Sequence, residues 1–259
     1  MKINVLFTCK GRPELTEICL RRLKDIPFPE DTTLLVAYDG VDEDYLTMLH
    51  NACRSANVDW FYIVTNPEKA NRFALINKAL KNVDADYFIH LENDFYWNDP
   101  TCLMSALEAF GKNPELDYIR FEVLPFNVGD FYRFTKVGGH DVCWRSKTGP
   151  YRFTLNPHIR TGKFINGVPF FEGPYTKQPE QHFNDSYTGQ AACMTGDNMR
   201  HLGLHDESGH FKPYYAERFL NIRGRHQITT EEMLQEFNKL TNNLLYRDLF
   251  HKYLQGIAR

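Results

Sequence analysis

The sequence predicts an α/β protein in which an open, mostly parallel sheet is flanked by helices. Three observations support this prediction. Short runs rich in apolar and β-branched residues recur through residues 1–99, and segments with apolar residues at helical spacing separate them. The strand runs are apolar throughout instead of alternating, which is typical of strands buried on both faces and paired in parallel.

The predicted elements of this region follow one another as strand, loop and helix. We expect strands at residues 3–8, 33–38, 60–64 and 87–91. The helices between them carry apolar positions such as Leu15, Leu49 and Ile76, and the third runs from about residue 72 to 81. Parallel strands joined in this way pair through right-handed crossovers, and ligands bind outside their carboxyl ends.

Polar residues directly follow three of the predicted strands. Residues 8–12, residues 39–40 and residues 92–94 each stand where a strand ends. Because the carboxyl ends of parallel strands meet at one rim of the sheet, we expect these segments to lie together. This convergence predicts a ligand site at the rim.

The second half of the sequence is richer in Gly, Pro and aromatic residues from about residue 130 onward. We expect long loops there that cover the site, including one around residues 138–140. Apolar residues between Met233 and Leu254 predict one or two amphipathic helices at the end of the chain. The predicted parts are a ligand-binding half, a loop-rich acceptor half of the same domain, and a C-terminal helical segment: residues 1–99, 100–228 and 229–259.

The composition narrows the class of protein. The chain is 42% hydrophobic, which is enough for a sizeable core, and its net charge of −3 gives no general attraction to nucleic acid or anionic membranes. No stretch approaches the roughly 18 apolar residues of a membrane span, and the first residues lead into a strand instead of a cleavage site. Six widely spaced cysteines contain no C-x-x-C pair. We therefore expect reduced, buried thiols and a cytoplasmic protein.

The Glu92-x-Asp94 pattern is the candidate metal site. Two carboxylates in a turn after a strand can reach one divalent cation, and hard oxygen ligands select Mg²⁺ or Mn²⁺. Such an ion bridges the two phosphates of a nucleotide diphosphate. Three-residue patterns of this kind are usually solvated turns, but the hydrophobic strand in front of this one favours metal binding.

Residues 1–99 resemble the nucleotide-binding half of GT-A fold glycosyltransferases, particularly those of family two. Residues 8–12 match a Thr-x-x-x-Arg-like turn after the first strand, and residues 39–40 match the Asp that ends the second. Residues 71–77 resemble a helix with an Ala/Arg-x-x-x-Asn pattern, and residues 91–94 stand where the Asp-x-Asp motif belongs. Glu92 replaces the usual first Asp, which lengthens the reach of that carboxylate.

The resemblance implies a Rossmann-like GT-A sheet and a metal-dependent transferase. Such an enzyme moves a sugar from a nucleoside diphosphate sugar, here a UDP-sugar, to a hydroxyl acceptor such as a glycan, with inversion. The implied nucleotide-binding residues are Thr8, Lys10, Arg12, Asp39, Arg72 and Asn93. The implied ligands for Mn²⁺ or Mg²⁺ are Glu92, Asp94 and one of two late histidines, His201 and His205.

Inversion also needs a carboxylate base that removes the proton of the acceptor hydroxyl. Glu180 is the first candidate, followed by Asp185 and Glu172. By resemblance, this base comes from an acidic segment after the metal motif.

Three other hypotheses stay open on the sequence alone. A nucleotidyltransferase that builds a sugar nucleotide has a related sheet, but that class usually shows a Gly-rich loop after the first strand, and residues 9–13 contain one Gly. A nucleotide-sugar-binding module without catalytic activity would account for Glu92. The acceptor could also be a modified base in DNA, which the net charge of −3 does not favour.

Overall fold

A computed structural model describes most of the first 201 residues of the chain. The described residues are 1–67, 72–80, 84–121, 131–145, 153, 157–162, 189–195 and 198–201. They all fall within one unit, Met1–Leu202. The predicted division at residues 99 and 228 stays a prediction.

The first half alternates strands and helices as predicted. Its elements are β1 (Ile3–Cys9), α1 (Pro13–Arg22), β2 (Thr32–Tyr38), α2 (Glu43–Arg54), β3 (Trp60–Thr65), α3 (Arg72–Leu80) and β4 (Tyr87–Glu92). The pairs β1–β2, β1–β4 and β2–β3 are parallel, which confirms the predicted pairing. All seven residues of β1 are buried, as expected for a central strand covered on both faces.

Local sequence signals explain where the helices begin. Pro13 occupies the first turn of α1, where its missing N–H leaves no hydrogen bond unmade. Asp42 caps α2, since its carboxylate accepts a hydrogen bond from the Tyr45 N–H at 2.8 Å. The apolar face of α3 then packs on the sheet, with Phe73 and Ile76 in the same core cluster as Leu6 of β1.

The second half of the described chain is mixed in strand direction. Its elements are β5 (Phe95–Trp97), α4 (Cys102–Lys112), β6 (Leu116–Phe121), β7 (Phe131–Val137), β8 (His140–Arg145), β9 (His158–Thr161), β10 (Gln190–Thr195) and β11 (Met199–His201). Nine described strands form one sheet in the order β3-β2-β1-β4-β9-β6-β10-β8-β7, and β11 pairs with β5 separately. In this half β6–β10 is parallel, whereas the other described pairs are antiparallel. The result is an α/β sheet flanked by helices.

Residues 131–145 form a β-hairpin where the sequence predicted a long loop. Strands β7 and β8 pair antiparallel across Gly138 and Gly139, whose φ angles of 56° and 90° lie in the region that favours glycine. The loop prediction was wrong for these residues. Phe134 and Val137 of β7 are three positions apart, and Val142, Cys143 and Trp144 of β8 are consecutive and all buried. Neither strand therefore shows the period-two alternation by which a half-buried strand is recognised.

The exposed residues of β3 also differ from expectation. This strand lies at one end of the described sheet, and 68% of Trp60 and 58% of Tyr62 are exposed. Its apolar run therefore does not reflect burial on both faces.

No helix in the described ranges is both long enough and apolar enough to cross a membrane.

Candidate functional site

The carboxyl ends of β1, β2 and β4 form one rim of the sheet. Thr8 of β1 lies opposite Glu92 of β4. Beyond the strand ends, the Asp39 N–H donates to the Cys9 carbonyl at 2.9 Å, and the Asn93 N–H donates to the Thr8 carbonyl at 3.0 Å. These bonds continue the strand pairing into the loops, so the three polar segments lie side by side.

Asp39 is held at this rim by two side chains. The Lys10 ammonium lies 3.2 Å from its carboxylate, and the Asn66 amide donates to it at 2.5 Å. Asn66 directly follows β3 and is buried. The sequence reasoning did not single out Asn66, although it obeys the strand-end rule that identified Asp39.

Asp94 interacts with the loop after β1. An Arg12 guanidinium nitrogen donates to the Asp94 carboxylate at 3.2 Å, and the other terminal nitrogen donates to the Asn93 side-chain oxygen at 3.2 Å. Both members of the ion pair are mostly buried. Arg12 adopts φ 52° and ψ 58°, a left-handed conformation that is uncommon for a residue with a side chain.

Glu92 pairs with the beginning of α3. The Arg72 guanidinium lies 3.5 Å from the Glu92 carboxylate. About half of the Arg72 side chain is exposed, whereas most of Glu92 is covered. Arg72 thus lies at the rim with part of its side chain open to solvent.

Each of these three carboxylates has a cationic neighbour. The pairs are Lys10–Asp39, Arg12–Asp94 and Arg72–Glu92. Carboxylate oxygens are the ligands that Mg²⁺ and Mn²⁺ prefer, and guanidinium and ammonium groups bind phosphate oxygens. The rim therefore carries both kinds of group that a diphosphate with a divalent cation requires.

Two rim residues are buried and make contacts within the protein. The Thr8 hydroxyl donates to the Leu91 carbonyl at 3.4 Å and so joins β1 to β4. The Asn93 side chain donates to the Thr16 hydroxyl at 3.0 Å and to the Gly11 carbonyl at 3.3 Å. Only 4% of Asn93 is exposed, and its amide is directed towards the loop after β1 and the first turn of α1.

His90 is a buried histidine two residues before Glu92 in β4. Burial lowers the pKa of His90 well below its usual value, and the nearby positive charges of Arg160 and Arg72 lower it further. His90 is therefore neutral at neutral pH and adds no charge to the rim.

The remaining predicted residues lie wholly or partly outside the described part of the chain. Glu180, Asp185, Glu172 and His205 lie outside it altogether. The backbone of His201 is described in β11, where it lies opposite Phe95, but its side chain is not. Within the described ranges, no group of three or more His, Cys, Asp or Glu side chains is arranged to hold a metal ion.

Comparison with known proteins defines the fold. No family profile matches the chain, and no curated protein matches it. Among solved structures, S. aureus TarS 1–349 in complex with UDP matches with a TM-score of 0.59 and 13% identity, over 92% of this chain and 70% of that one. The mannosyltransferase PcManGT from Pyrobaculum calidifontis, in complex with GDP-Man and Mn²⁺, matches with a TM-score of 0.57 and 11% identity, over 99% and 75%. The chain has the GT-A fold.

A second TarS 1–349 structure, in complex with UDP-GlcNAc, agrees with this assignment. Its TM-score is 0.58 at 15% identity, over 92% of this chain and 71% of that one. At these identities the likeness establishes the fold alone. Within this GT-A fold, the rim formed by β1, β2 and β4 carries the polar segments on which the sequence resemblance rests.

Proposed function

We propose that this protein is a metal-dependent glycosyltransferase that moves a sugar from a UDP-sugar to a hydroxyl acceptor, with inversion. The observation that carries the proposal is the meeting of Asp39, Glu92 and Asp94 at one rim, each beside a cationic side chain. This is the edge of an α/β sheet where ligands bind. The structural neighbours support a nucleoside diphosphate sugar as donor, since they were solved with UDP, UDP-GlcNAc and GDP-Man, and the two TarS complexes support UDP in particular.

The proposed nucleotide contacts come from β1, β2 and α3. Asp39 ends β2 and would meet the ribose or base, because its carboxylate is a hydrogen-bond acceptor fixed by Asn66. Lys10, Arg12 and Arg72 would bind the diphosphate, since their cationic groups already line the rim. Thr8 holds β1 against β4 beneath them.

Glu92 and Asp94 are the proposed ligands of Mn²⁺ or Mg²⁺. Glu92 ends β4 and Asp94 lies in the turn that follows it, and both offer hard oxygen donors, which fits these ions. A divalent cation bound there would neutralise the charge that develops on the departing diphosphate. PcManGT was solved with Mn²⁺, which supports this proposal.

His201 and His205 remain the proposed sources of a third ligand. The pairing of β11 with β5 places the His201 backbone opposite Phe95, the residue after Asp94 in the sequence. This register favours His201 over His205 as the partner of the two carboxylates.

The proposed general base is Glu180, with Asp185 and Glu172 as alternatives. It would take the proton of the acceptor hydroxyl as that oxygen attacks the anomeric carbon. The acceptor is proposed to be a glycan or another hydroxyl compound. A cytoplasmic location is also proposed, because all six cysteines are free and buried, as expected in a reducing compartment.

Calorimetric titration with UDP and GDP, each with Mn²⁺, with Mg²⁺ or with EDTA, tests the donor and metal assignments. We expect UDP to bind in the presence of the metal and to lose at least about tenfold in affinity in Asp94→Ala. Asp84→Ala is the matched control, because Asp84 is exposed and pairs with Lys2 on the surface. Absence of metal-dependent binding to either nucleotide would remove the proposal.

Donor hydrolysis separates a transferase from a binding module. Most active transferases slowly hydrolyse their donor without an acceptor, so a panel of UDP-sugars and GDP-sugars should include one that is cleaved. Release of the free sugar and the nucleotide would be followed by chromatography, with Asp94→Ala as the negative control. If the protein binds the nucleotide with metal but cleaves no donor, it is better described as a nucleotide-sugar-binding module without catalytic activity.

A further inference from the structure

The residue between the two carboxylates of the metal motif faces the protein interior. Asn93 is 4% exposed, and its backbone N–H donates to the Thr8 carbonyl at 3.0 Å. The flanking residues Glu92 and Asp94 each meet an arginine at the rim. The Asn93 side chain thus lies beneath the rim and not on its exposed surface.

The nitrogen and the oxygen of the Asn93 side-chain amide both form hydrogen bonds with the loop between β1 and α1 and with the first turn of α1. Its nitrogen donates to the Thr16 hydroxyl at 3.0 Å and to the Gly11 carbonyl at 3.3 Å. Its oxygen accepts from the Arg12 guanidinium at 3.2 Å. Only a side chain with a donor and an acceptor can make this combination, so neither a carboxylate nor an aliphatic group replaces it.

The loop that Asn93 contacts is conformationally unusual. Gly11 and Arg12 both have positive φ angles, 54° and 52°. For Arg12 this conformation is sterically unfavourable because the residue has a Cβ. Pro13 follows it, and a proline further restricts the backbone of the residue before it. Such backbone persists where its surroundings hold it in place, and it is concentrated at functional sites.

We propose that Asn93 is a positioning residue that sets the place of Arg12 at the diphosphate site. Asn93 fixes the Gly11 carbonyl on one side and the Arg12 guanidinium on the other, so the guanidinium is held against Asp94 before any ligand arrives. This inference rests on the proposed function, and it departs from the expectation that Asn93 itself touches the nucleotide. Its effect on binding passes through Arg12.

A second anchor holds the same loop from the side of α2. The Tyr45 hydroxyl donates to the Gly11 carbonyl at 2.7 Å and shares a 2.6 Å hydrogen bond with the Thr16 hydroxyl. The Tyr45 ring stacks on Tyr38 with 4.4 Å between the ring centres. Because Tyr45 keeps the loop attached, loss of Asn93 should misplace Arg12 without unfolding the loop.

A double-mutant cycle on UDP affinity, measured with saturating Mn²⁺, tests whether Asn93 acts through Arg12. We expect Asn93→Ala and Arg12→Ala each to weaken binding by about tenfold or more. The double variant should bind no more than about twofold worse than Arg12→Ala alone, since the residue that Asn93 positions is already gone. Effects that multiply, or an Asn93→Ala variant that binds like the wild type, would overturn the inference.

Asn113 provides the matched control. It is also a buried asparagine that donates to a backbone carbonyl, that of Ala109 at 2.7 Å, and accepts from an arginine, Arg133 at 3.4 Å. Asn113→Ala should lower the melting temperature without changing UDP affinity, so a general loss of stability is distinguished from misplacement of Arg12. If Asn93→Ala does not fold, Asn93→Ser enters the same cycle, because its hydroxyl keeps one polar atom there.

Failure of the inference differs from failure of the proposed function. A wild-type protein that binds no UDP with Mn²⁺ contradicts the function and the inference together. A wild-type protein that binds UDP while the two substitutions act independently contradicts the inference alone. A UDP complex with the Asn93 amide in hydrogen-bond contact with the nucleotide would also overturn it.

Discussion

Arg12 lies 3.2 Å from Asp94, although the two residues are 82 positions apart in the sequence. Their side chains are only 15% and 14% exposed, so their charges are screened less than those of a surface pair. The contact joins the loop after β1 to the turn after β4. One ion pair therefore links the proposed diphosphate and metal positions.

Replacing Arg12 by glycine should weaken UDP binding with little change in stability. Glycine adopts the left-handed conformation without strain, which offsets part of the loss of the ion pair with Asp94. We expect the free energy of unfolding in urea to change by less than about 2 kcal/mol. UDP affinity should fall by at least about tenfold by calorimetry. Arg21→Ala, which removes an exposed pair with Glu17, is the control that should bind normally; equal affinities for all three proteins would contradict this prediction.

The cysteines should be unreactive in the native protein. All six are free and buried, and burial raises the pKa of the Cys53 thiol to about 12. Because the thiolate is the reactive form, a thiol-specific chromogenic disulfide should modify few or none of them before unfolding and all six in denaturant. Rapid modification of the native protein would show that one of these sites opens.

Stability should depend on pH through Asp99. Burial by itself raises the pKa of this carboxyl, but hydrogen bonds from Thr101 and His140 outweigh it, and the pKa lies below its usual value. A carboxyl whose pKa is lower in the folded than in the unfolded protein stabilises the fold when the pH is above the pKa of the unfolded state. This stabilisation is lost as the pH falls through the pKa of the folded state. We expect Asp99→Asn to be less stable than the wild type at pH 7 and the difference to shrink below about pH 4.

Urea unfolding at several pH values measures this difference. Asp84→Asn is the control because Asp84 is a highly exposed carboxylate, and its effect should be small throughout. A difference between Asp99→Asn and the wild type that stays constant down to pH 3 would argue against the hydrogen bonds of Asp99 as its source.

Two neighbouring glycines in the β7–β8 turn should differ in their tolerance of alanine. A Cβ at Gly138 would come within 2.1 Å of the Ser105 hydroxyl oxygen, whereas a Cβ at Gly139 meets nothing within 4 Å. Both have positive φ, so Gly139→Ala measures the backbone strain, about 1 kcal/mol, and Gly138→Ala adds overpacking of about 1–3 kcal/mol. The free energy of unfolding of each variant checks this order, and equal losses would show that Ser105 moves aside freely.

The first half of the fold could be predicted because its signals are local. The apolar run at residues 3–8 became β1, and the apolar spacing around Leu49 became α2, since hydrophobic periodicity reports secondary structure directly. The strand-end rule then placed Asp39 beside the loop after β1 without any knowledge of distant contacts. The hairpin at residues 131–145 escaped prediction because its apolar residues do not alternate: Phe134 and Val137 are three positions apart, and Val142, Cys143 and Trp144 are consecutive.

The sequence by itself determined the order of strands and helices and the gathering of Asp39, Glu92 and Asp94 at one rim, because parallel strands bring their carboxyl ends together. Only the tertiary structure decided the pairing of Arg12 with Asp94 and the inward direction of Asn93. Both rest on contacts between residues that lie far apart in the sequence, Arg12 with Asp94 and Thr16 with Asn93. No local pattern in the sequence encodes those contacts.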